Sequence, residues 1–385
     1  MRLGRSEHEA LLFDVSSRVL LELNHSAAEI WLRLDGRPVA DLVAELASTY
    51  RVDATVVEAD FETAITHFAA NGLLAPFTAA PATPAPDSRA EPDPGPERRW
   101  AERWSELQTV ASTTSTSGPY RVGPETMQVV TNDDALRTEL DRVLRPLRAP
   151  GPGAGARRLF AVERRHGWVV SVDGAEPTRV ATRIDALTHA LWHVNQLATA
   201  PRADRLSMHA AAVEIDGRVL VLPGVSNAGK STLVTGLVAA GARYLTDEAA
   251  LLDRNDLVVD PFPKAIALDP GSFSLFPELK PSVGPAFVAH LRRKWHVDPA
   301  AVGSVGTGGP VAAVVAPCYE RGAPTQLQSL SFGPAVELLL GATFTGTLAD
   351  FDTVVAMANR VPVRKLSGGD LHAAVAAVFE LAAGL

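Results

Sequence analysis

The sequence predicts a multidomain protein: a small α+β unit of winged-helix type, a proline-rich tether, and an α/β unit built around a phosphate-binding loop. Three observations carry this. Val219-Leu220-Val221-Leu222 is an apolar run of strand length, and Gly224-Val225-Ser226-Asn227-Ala228-Gly229-Lys230-Ser231 after it fits G-x-x-x-x-G-K-[ST]. Leu233, Leu237 and Val238 then recur at helical spacing, and Gly241 supplies a C-cap. The first 76 residues read as a β-hairpin followed by three helices. Between 77 and 98 stand Pro81, Pro84, Pro86, Pro92, Pro94 and Pro96, a composition that keeps a spacer stiff and extended.

Composition narrows the classes. The 385 residues exceed one ordinary domain, and 46% apolar with 21% charged residues is usual for a globular chain. A net charge of −8 and a pI near 5.7 speak against a nonspecific nucleic-acid binder. Cys318 stands alone, which excludes an internal disulfide framework and fits a reducing cytosol. No apolar run approaches the ~20 residues that span a bilayer. The first ten residues lead into alternating sequence rather than a signal-peptide core. A cytoplasmic location with neither membrane nor nucleic acid as partner is the expectation.

In residues 1–76, Leu11 to Val15 and Arg18 to Leu23 are strands joined at Ser16-Ser17. Ser26-Ala27-Ala28-Glu29 has the form of a capping box opening a helix through Leu34, closed by Gly36. Pro38 suits the first turn of a second helix whose buried face is Leu42, Val43 and Leu46. Val56 to Ala70 forms a third, ended by Asn71-Gly72 and followed by Leu73-Leu74. Six arginines against twelve carboxylates leave this unit at −6, which removes DNA as its ligand. The unit resembles the PqqD family in Leu23-Asn24 before a helix, Asp35-Gly36 before a short second helix, and the terminal Gly72-Leu73-Leu74. That resemblance implies a module that binds the leader of a ribosomally made precursor peptide, the leader adding as a strand beside the hairpin.

Residues 99–205 read as the front part of the second unit, a small sheet with one helix. Ser112 to Gly118 and Pro150 to Gly155 are loops, Arg158 to Val172 gives two strands around Arg165-His166-Gly167, and Asp185 to Leu197 is the helix. Trp100, Trp104 and Trp192 are expected in the core. Residues 206–385 form the catalytic core. Leu251 to Asp253 and Val258 to Lys264 are short strands and turns, and Val311 to Ala316 is a buried strand. Ala335 to Leu340 and Leu371 to Leu381 are helices, and the glycine-rich Ala301 to Pro310 is expected to be mobile. Arg292-Arg293-Lys294-Trp295-His296 is a basic cluster, read first as a solvated face and second as a phosphate contact.

The chemistry follows from the loop. Its glycines let backbone N–H groups close around a polyphosphate at the positive end of a helix, so Gly224 through Thr232 should bind nucleotide. Lys230 should then sit on the β/γ-phosphates and the Ser231 hydroxyl should hold Mg²⁺. Upstream stands His209-Ala-Ala-Ala-Val213; downstream, Tyr244-Leu245-Thr246 is a strand ending in Asp247-Glu248. Asp247 is thus at a strand's C-terminal end, where ligands bind in α/β folds, and an aspartate can accept a hydroxyl proton.

His209 with its x-x-x-Val spacing, the loop, and Asp247-Glu248 after the Gly241-terminated helix resemble the HPr kinase/phosphorylase family, whose loop architecture phosphoenolpyruvate carboxykinases share. The match runs over roughly Leu206 to Leu268. It implies Asp247 as catalytic base and His209 beside the loop; Glu248 stands where the family usually has a second Asp, which leaves it a role at the metal or behind the groups that hold the metal. Asp260-Pro261-Phe262-Pro263-Lys264 stands in place of the family's glycine-rich signature, so neither HPr as substrate nor phosphorolysis is expected. The chain looks closer to HPr-kinase-like enzymes of peptide natural-product pathways, including those that phosphorylate a serine of lasso-peptide precursors. Together the modules suggest an ATP- and Mg²⁺-dependent kinase acting on a serine or threonine of a precursor peptide. The alternatives are a kinase for a folded protein in signalling and a nucleotide-binding regulatory or assembly protein. Kinases of this family often assemble, which leaves a homo-oligomer open.

Overall fold

A computed structural model describes residues 1–7, 9–71, 73–74, 114–151, 155–173, 176–225, 228–280 and 294–385. The tether at 77–98, Gly72, Trp100, Trp104, Ser226, Asn227, Arg292 and Arg293 lie outside the described residues. The chain divides into two units, Met1–Arg98 and Arg99–Leu385.

In the first unit β1 (Arg2–Arg5), β2 (Ala10–Asp14) and β3 (Val19–Leu23) form an antiparallel sheet in that order. The expected hairpin is therefore part of a three-stranded sheet. Four residues carry no readable alternation, and β1 exists because it pairs with β2, Leu3 opposite Leu12. Helices α1 (His25–Arg33), α2 (Val39–Tyr50) and α3 (Ala54–Ala70) follow. Leu12, Ile30, Leu42, Leu46, Phe61 and Phe68 meet in one core. The cap of α1 differs from expectation. Asn24, not Ser26, is the N-cap, its side chain accepting from Ala27 N at 2.8 Å. Glu29 does not close a capping box; it pairs with Arg5 at 2.8 Å and with Arg33.

The described part of the second unit opens with a five-stranded sheet, β4 (Ser115–Val122), β5 (Glu125–Thr131), β6 (Arg157–Arg164), β7 (Gly167–Val172) and β8 (Thr178–Val180), in sequential order. The expected loop at Ser112 to Gly118 is strand from Ser115 on, because its hydroxyl-rich residues pair with Val129 to Thr131. Among the described residues two helices rather than one accompany this sheet: α4 (Asp134–Leu144) between β5 and β6, and α5 (Arg183–Ala198) after β8. Leu136, Leu140 and Val143 of α4 and Ala186, Ala190 and Val194 of α5 share the core beneath. Trp192, expected in the core, is 51% exposed, since α5 turns Leu187, Ala190, Leu191 and Val194 inward and leaves it outside that stripe.

The larger sheet is mixed. Its parts begin with β9 (Arg205–Met208), β10 (Ala210–Ile215), β11 (Arg218–Pro223), α6 (Lys230–Ala239), β12 (Arg243–Thr246), β13 (Ala250–Asp253) and β14 (Val258–Asp260). A two-stranded pair, β15 (Ile266–Leu268) and β16 (Trp295–Val297), stands apart. Then come β17 (Gly309–Tyr319), β18 (Gln326–Ser329), α7 (Phe332–Gly341), α8 (Leu348–Arg360), β19 (Val363–Gly368) and α9 (Leu371–Ala383). The strand order is β12-β10-β11-β17-β14-β13-β9, with β19 added on β17 and β18 on β19. Because β11, β17 and β19 run parallel while β10 opposes both β11 and β12, one edge gathers several chain ends. The C-terminal ends of β11, β12, β17 and β19 and the start of β10 all open there. Loops at such an edge are where α/β folds place ligands.

The glycine-rich Ala301 to Pro310 is bonded in place, contrary to expectation. Tyr244 N donates to Ser304 O at 2.8 Å, Gly306 N to Tyr244 O at 2.9 Å, and Thr307 N to Glu214 Oε2 at 2.9 Å. Gly306 serves close approach: a Cβ there would stand 2.5 Å from Glu214 Oε2.

Candidate active site

Val219 to Leu222 of β11 are fully buried, so the strand ends rigidly at Pro223 and delivers the glycine loop to the sheet edge. Gly229 holds a left-handed φ of +91°, a conformation glycine adopts without strain, and α6 begins at the next residue. The first N–H groups of a helix have no partner within it, which lets a helix N-terminus accept an anion. Lys230 is buried and curls back over the loop: Nζ donates to Gly224 O at 2.6 Å and Val225 O at 2.8 Å, and lies 3.3 Å from His209 Nε2. Burial pulls the Lys230 ammonium below its usual range and the charge of Lys294 adds to this, with Asp247 and Glu248 opposing.

His209 sits where the chain passes from β9 to β10, its N–H donating to Ala342 O at 2.7 Å and its ring edge-on to Phe344. Burial, then the neighbouring Lys230 charge, lower its pKa below the usual 6.5. A neutral ring can accept at Nε2 from the ammonium, which fits the 3.3 Å separation.

The carboxylates follow β12. Asp247 is 4% exposed; its Oδ2 accepts from Ala267 N at 2.8 Å and from Ser231 Oγ at 3.2 Å. The Tyr244 hydroxyl lies 3.2 Å from Asp247 Oδ1 and 2.9 Å from the Lys264 carbonyl. Burial raises Tyr244 well above 10, so it stays a proton donor. Lys264 reaches Glu248 Oε2 at 2.6 Å and Asp247 Oδ1 at 3.8 Å. Burial alone would lower the Lys264 pKa, but the two carboxylates outweigh it and raise it. Burial alone would raise Glu248; the Lys264 charge and the Asn195 amide reverse this and bring it to about 2.

The structure thus brings His209, Lys230, Ser231, Asp247 and Glu248 to one edge. Gly224, Val225, Ala228 and Gly229 form the described part of the loop. Thr232 pairs with Ser272, hydroxyl to hydroxyl at 2.8 Å. Glu248, expected at a metal, is held by Lys264 and Asn195. Lys264 and Asn195 are the residues that sequence reasoning missed. Tyr244 was read only as part of a strand. Lys294, the described part of the basic cluster with Trp295 and His296, is close enough to shift both Lys230 and His209.

Residues 9–74 match the family model for coenzyme PQQ synthesis protein D (PqqD). The first unit is PqqD-like. No curated protein matches the chain. Among solved structures, the Hpr(Ser) kinase/phosphatase from Coxiella burnetii is similar at 15% sequence identity, covering 46% of this chain and 99% of that one, with a TM-score of 0.25. No described helix is long and apolar enough to cross a membrane.

Proposed function

We propose that the chain is an ATP-dependent kinase that phosphorylates a serine or threonine hydroxyl of a ribosomally made precursor peptide, captured through its leader by the PqqD-like unit. The observation that carries this reading is the contact of Asp247 with Ser231, the residue after Lys230, with His209 on the lysine. A phosphate chain on the N-terminus of α6 would be met by Lys230, and an acceptor hydroxyl between it and Asp247 would lose its proton to that carboxylate. The acceptor oxygen bonds to the γ-phosphorus as the bond to the bridging oxygen breaks, and ADP leaves. The donors around Asp247, from Ala267, Ser231 and Tyr244, fix its orientation for that transfer.

The residues present suit Mg²⁺. Among the described residues no group of three or more His, Cys, Asp or Glu is gathered for a metal. Mg²⁺ that travels with a polyphosphate needs only one or two protein oxygens, and keeps several waters. Ser231 Oγ would hold it, with Glu248 acting through its water shell; the ion supplies neutralisation of charge between the phosphates.

The test is intact-mass measurement of a precursor peptide encoded beside the gene, after incubation with ATP, Mg²⁺ and the protein, with Asp247→Asn as control. One added phosphoryl group that needs Asp247 is the expected result. An unchanged peptide mass with ATP bound would reject the peptide as acceptor and favour a folded protein.

A further inference from the structure

Beside His209 stands a side chain that the chemistry above does not use. Phe344, in the turn between α7 and α8, is 42% exposed, a large apolar group left open to solvent. Its ring meets the His209 ring edge-on, with centroids 6.1 Å apart. His209 in turn lies 3.3 Å from Lys230 Nζ and is hydrogen-bonded to the Glu248 main chain. Phe344 is therefore one side chain removed from both the lysine of the loop and the carboxylate turn.

A single exposed apolar side chain is ordinary on a protein surface. Phe344 differs in how firmly its backbone is held. On one side the turn is bonded to β9 and its end: Phe344 N donates to Ser207 O at 3.1 Å, Thr343 pairs with Met208, and Ala342 O accepts from His209 N at 2.7 Å. On the other, Asp350, 1% exposed, accepts from the Thr345 hydroxyl, from Thr347 N at 2.8 Å and from Arg254 at 2.6 Å. The phenyl is thus presented at a set place, and covering it with apolar surface is favourable.

Position says what covers it. Phe344 is not among the described residues lining the cavity beside Gly229, Thr232 and Tyr319, so it stands apart from that wall of the loop. On the proposed function the acceptor hydroxyl sits between Lys230 and Asp247, and the chain that carries it must pass the neighbouring side chains. An extended peptide advances about 3.3 Å per residue, so positions two or three from the hydroxyl come level with a ring just beyond His209. Phosphate and metal are no partners for a phenyl edge-on to a neutral histidine; an aliphatic or aromatic side chain is.

We infer that Phe344 is a specificity contact for the acceptor, taking an apolar side chain two or three residues from the hydroxyl that is phosphorylated. The inference rests on the kinase reading above and goes beyond it in naming the class of peptide segment that the site itself prefers.

The test uses the full-length protein, ATP, Mg²⁺ and the precursor peptide encoded beside the gene, with the acceptor located by tandem mass spectrometry. Each residue within three positions of the acceptor is changed singly to alanine, and initial rates are measured with the unmodified protein, Phe344→Ala and Phe344→Leu. Binding of a non-hydrolysable ATP analogue is followed by calorimetry. The expected result is an apolar residue in that window whose loss raises KM about 10-fold, the low end for removing an apolar contact. Phe344→Ala should raise KM for the parent peptide by the same factor and add nothing for the peptide already lacking that residue. Phe344→Leu should restore most of the loss, and both variants should bind the analogue as the unmodified protein does. Effects of the two changes that simply multiply, or a window without an apolar residue, overturn the contact. So does a Phe344→Ala protein that loses analogue binding or kcat with KM unchanged, because the ring then serves only His209. Phosphoryl transfer indifferent to Phe344 removes the contact and keeps the kinase; if the unmodified protein phosphorylates nothing, the kinase reading fails and the contact with it.

Discussion

Asp247 and Lys264 show how far single residues can be read. Asp247 is placed by three donors and sits beside Ser231, so Asp247→Asn should keep nucleotide binding and cut phosphoryl transfer by about 10²- to 10⁴-fold, the range for losing a general base. Steady-state rates beside calorimetric binding of the ATP analogue check this, and unchanged turnover would remove Asp247 as the base. Lys264 is buried against Glu248 and Asp247, and Lys264→Met should destabilise the second unit by about 1–3 kcal/mol, because the carboxylates lose their cation. The sign with pH follows from Glu248. Its pKa is depressed to about 2 from the usual 4.5, so its contribution to stability is present above about pH 4.5 and lost as pH falls toward 2. Lys264→Met should flatten that acid limb in denaturant titrations from pH 6 to 3, and an unaltered slope would break the link. Lys230, Ser231 and Asp247 were legible because the loop motif and its following strand are contiguous in sequence. Lys264 was not: it lies in a Pro-Phe-Pro-Lys turn, and only the fold of the chain between β12 and β15 brings its ammonium onto Glu248.

Among the elements, those with a long apolar period were legible, and those made by pairing were not. β11 and α6 declare themselves through Val219 to Leu222 and Leu233, Leu237 and Val238. β1 and the polar start of β4 exist through their partners. In the α1 cap, Asn24 and Ser26 both suit the role, and the backbone decides: Asn24 has the extended conformation and receives Ala27 N–H. Asn24→Ala should cost the PqqD-like unit about 1 kcal/mol, and Ser26→Ala much less. Chemical denaturation followed through Trp31, which packs edge-on to Phe68 in that unit, can read the difference; equal costs would put the cap elsewhere. Strand β16 carries a pH-dependent element. Burial, with Lys264 and Arg142 nearby, lowers His296 to about 3, and its Nδ1 has no hydrogen-bond partner. A histidine depressed in the folded state adds stability above about pH 6.5 and loses it progressively as pH falls toward 3. The thermal midpoint of the second unit should therefore fall between pH 7 and 5, and His296→Asn should reduce that fall. If the two proteins tracked each other, His296 would not be its source.

On the scale of the whole molecule, the PqqD-like unit has β3 as an edge of its sheet among the described strands, the kind of edge a peptide strand extends, while the candidate site lies in the other unit. On the proposed function, capture belongs to the first unit and chemistry to the second. The 22 residues from 77 to 98 link the two in sequence. A leader held at one end of such a spacer converts encounter of the core peptide with Asp247 into an intramolecular event. Linked binding of this kind gains about 10²- to 10⁴-fold without new contacts at the second site. Deleting residues 1–76 should therefore raise KM for the full precursor by a factor in that range, and leave kcat for a leaderless peptide within about twofold. Free leader peptide should inhibit the intact protein competitively against the full precursor and have no effect on the leaderless one. Initial rates of the intact and shortened proteins on both substrates decide the matter. Equal losses on the two would mean that residues 1–76 support folding of the second unit, and that the site at Asp247 selects its peptide without help from the leader.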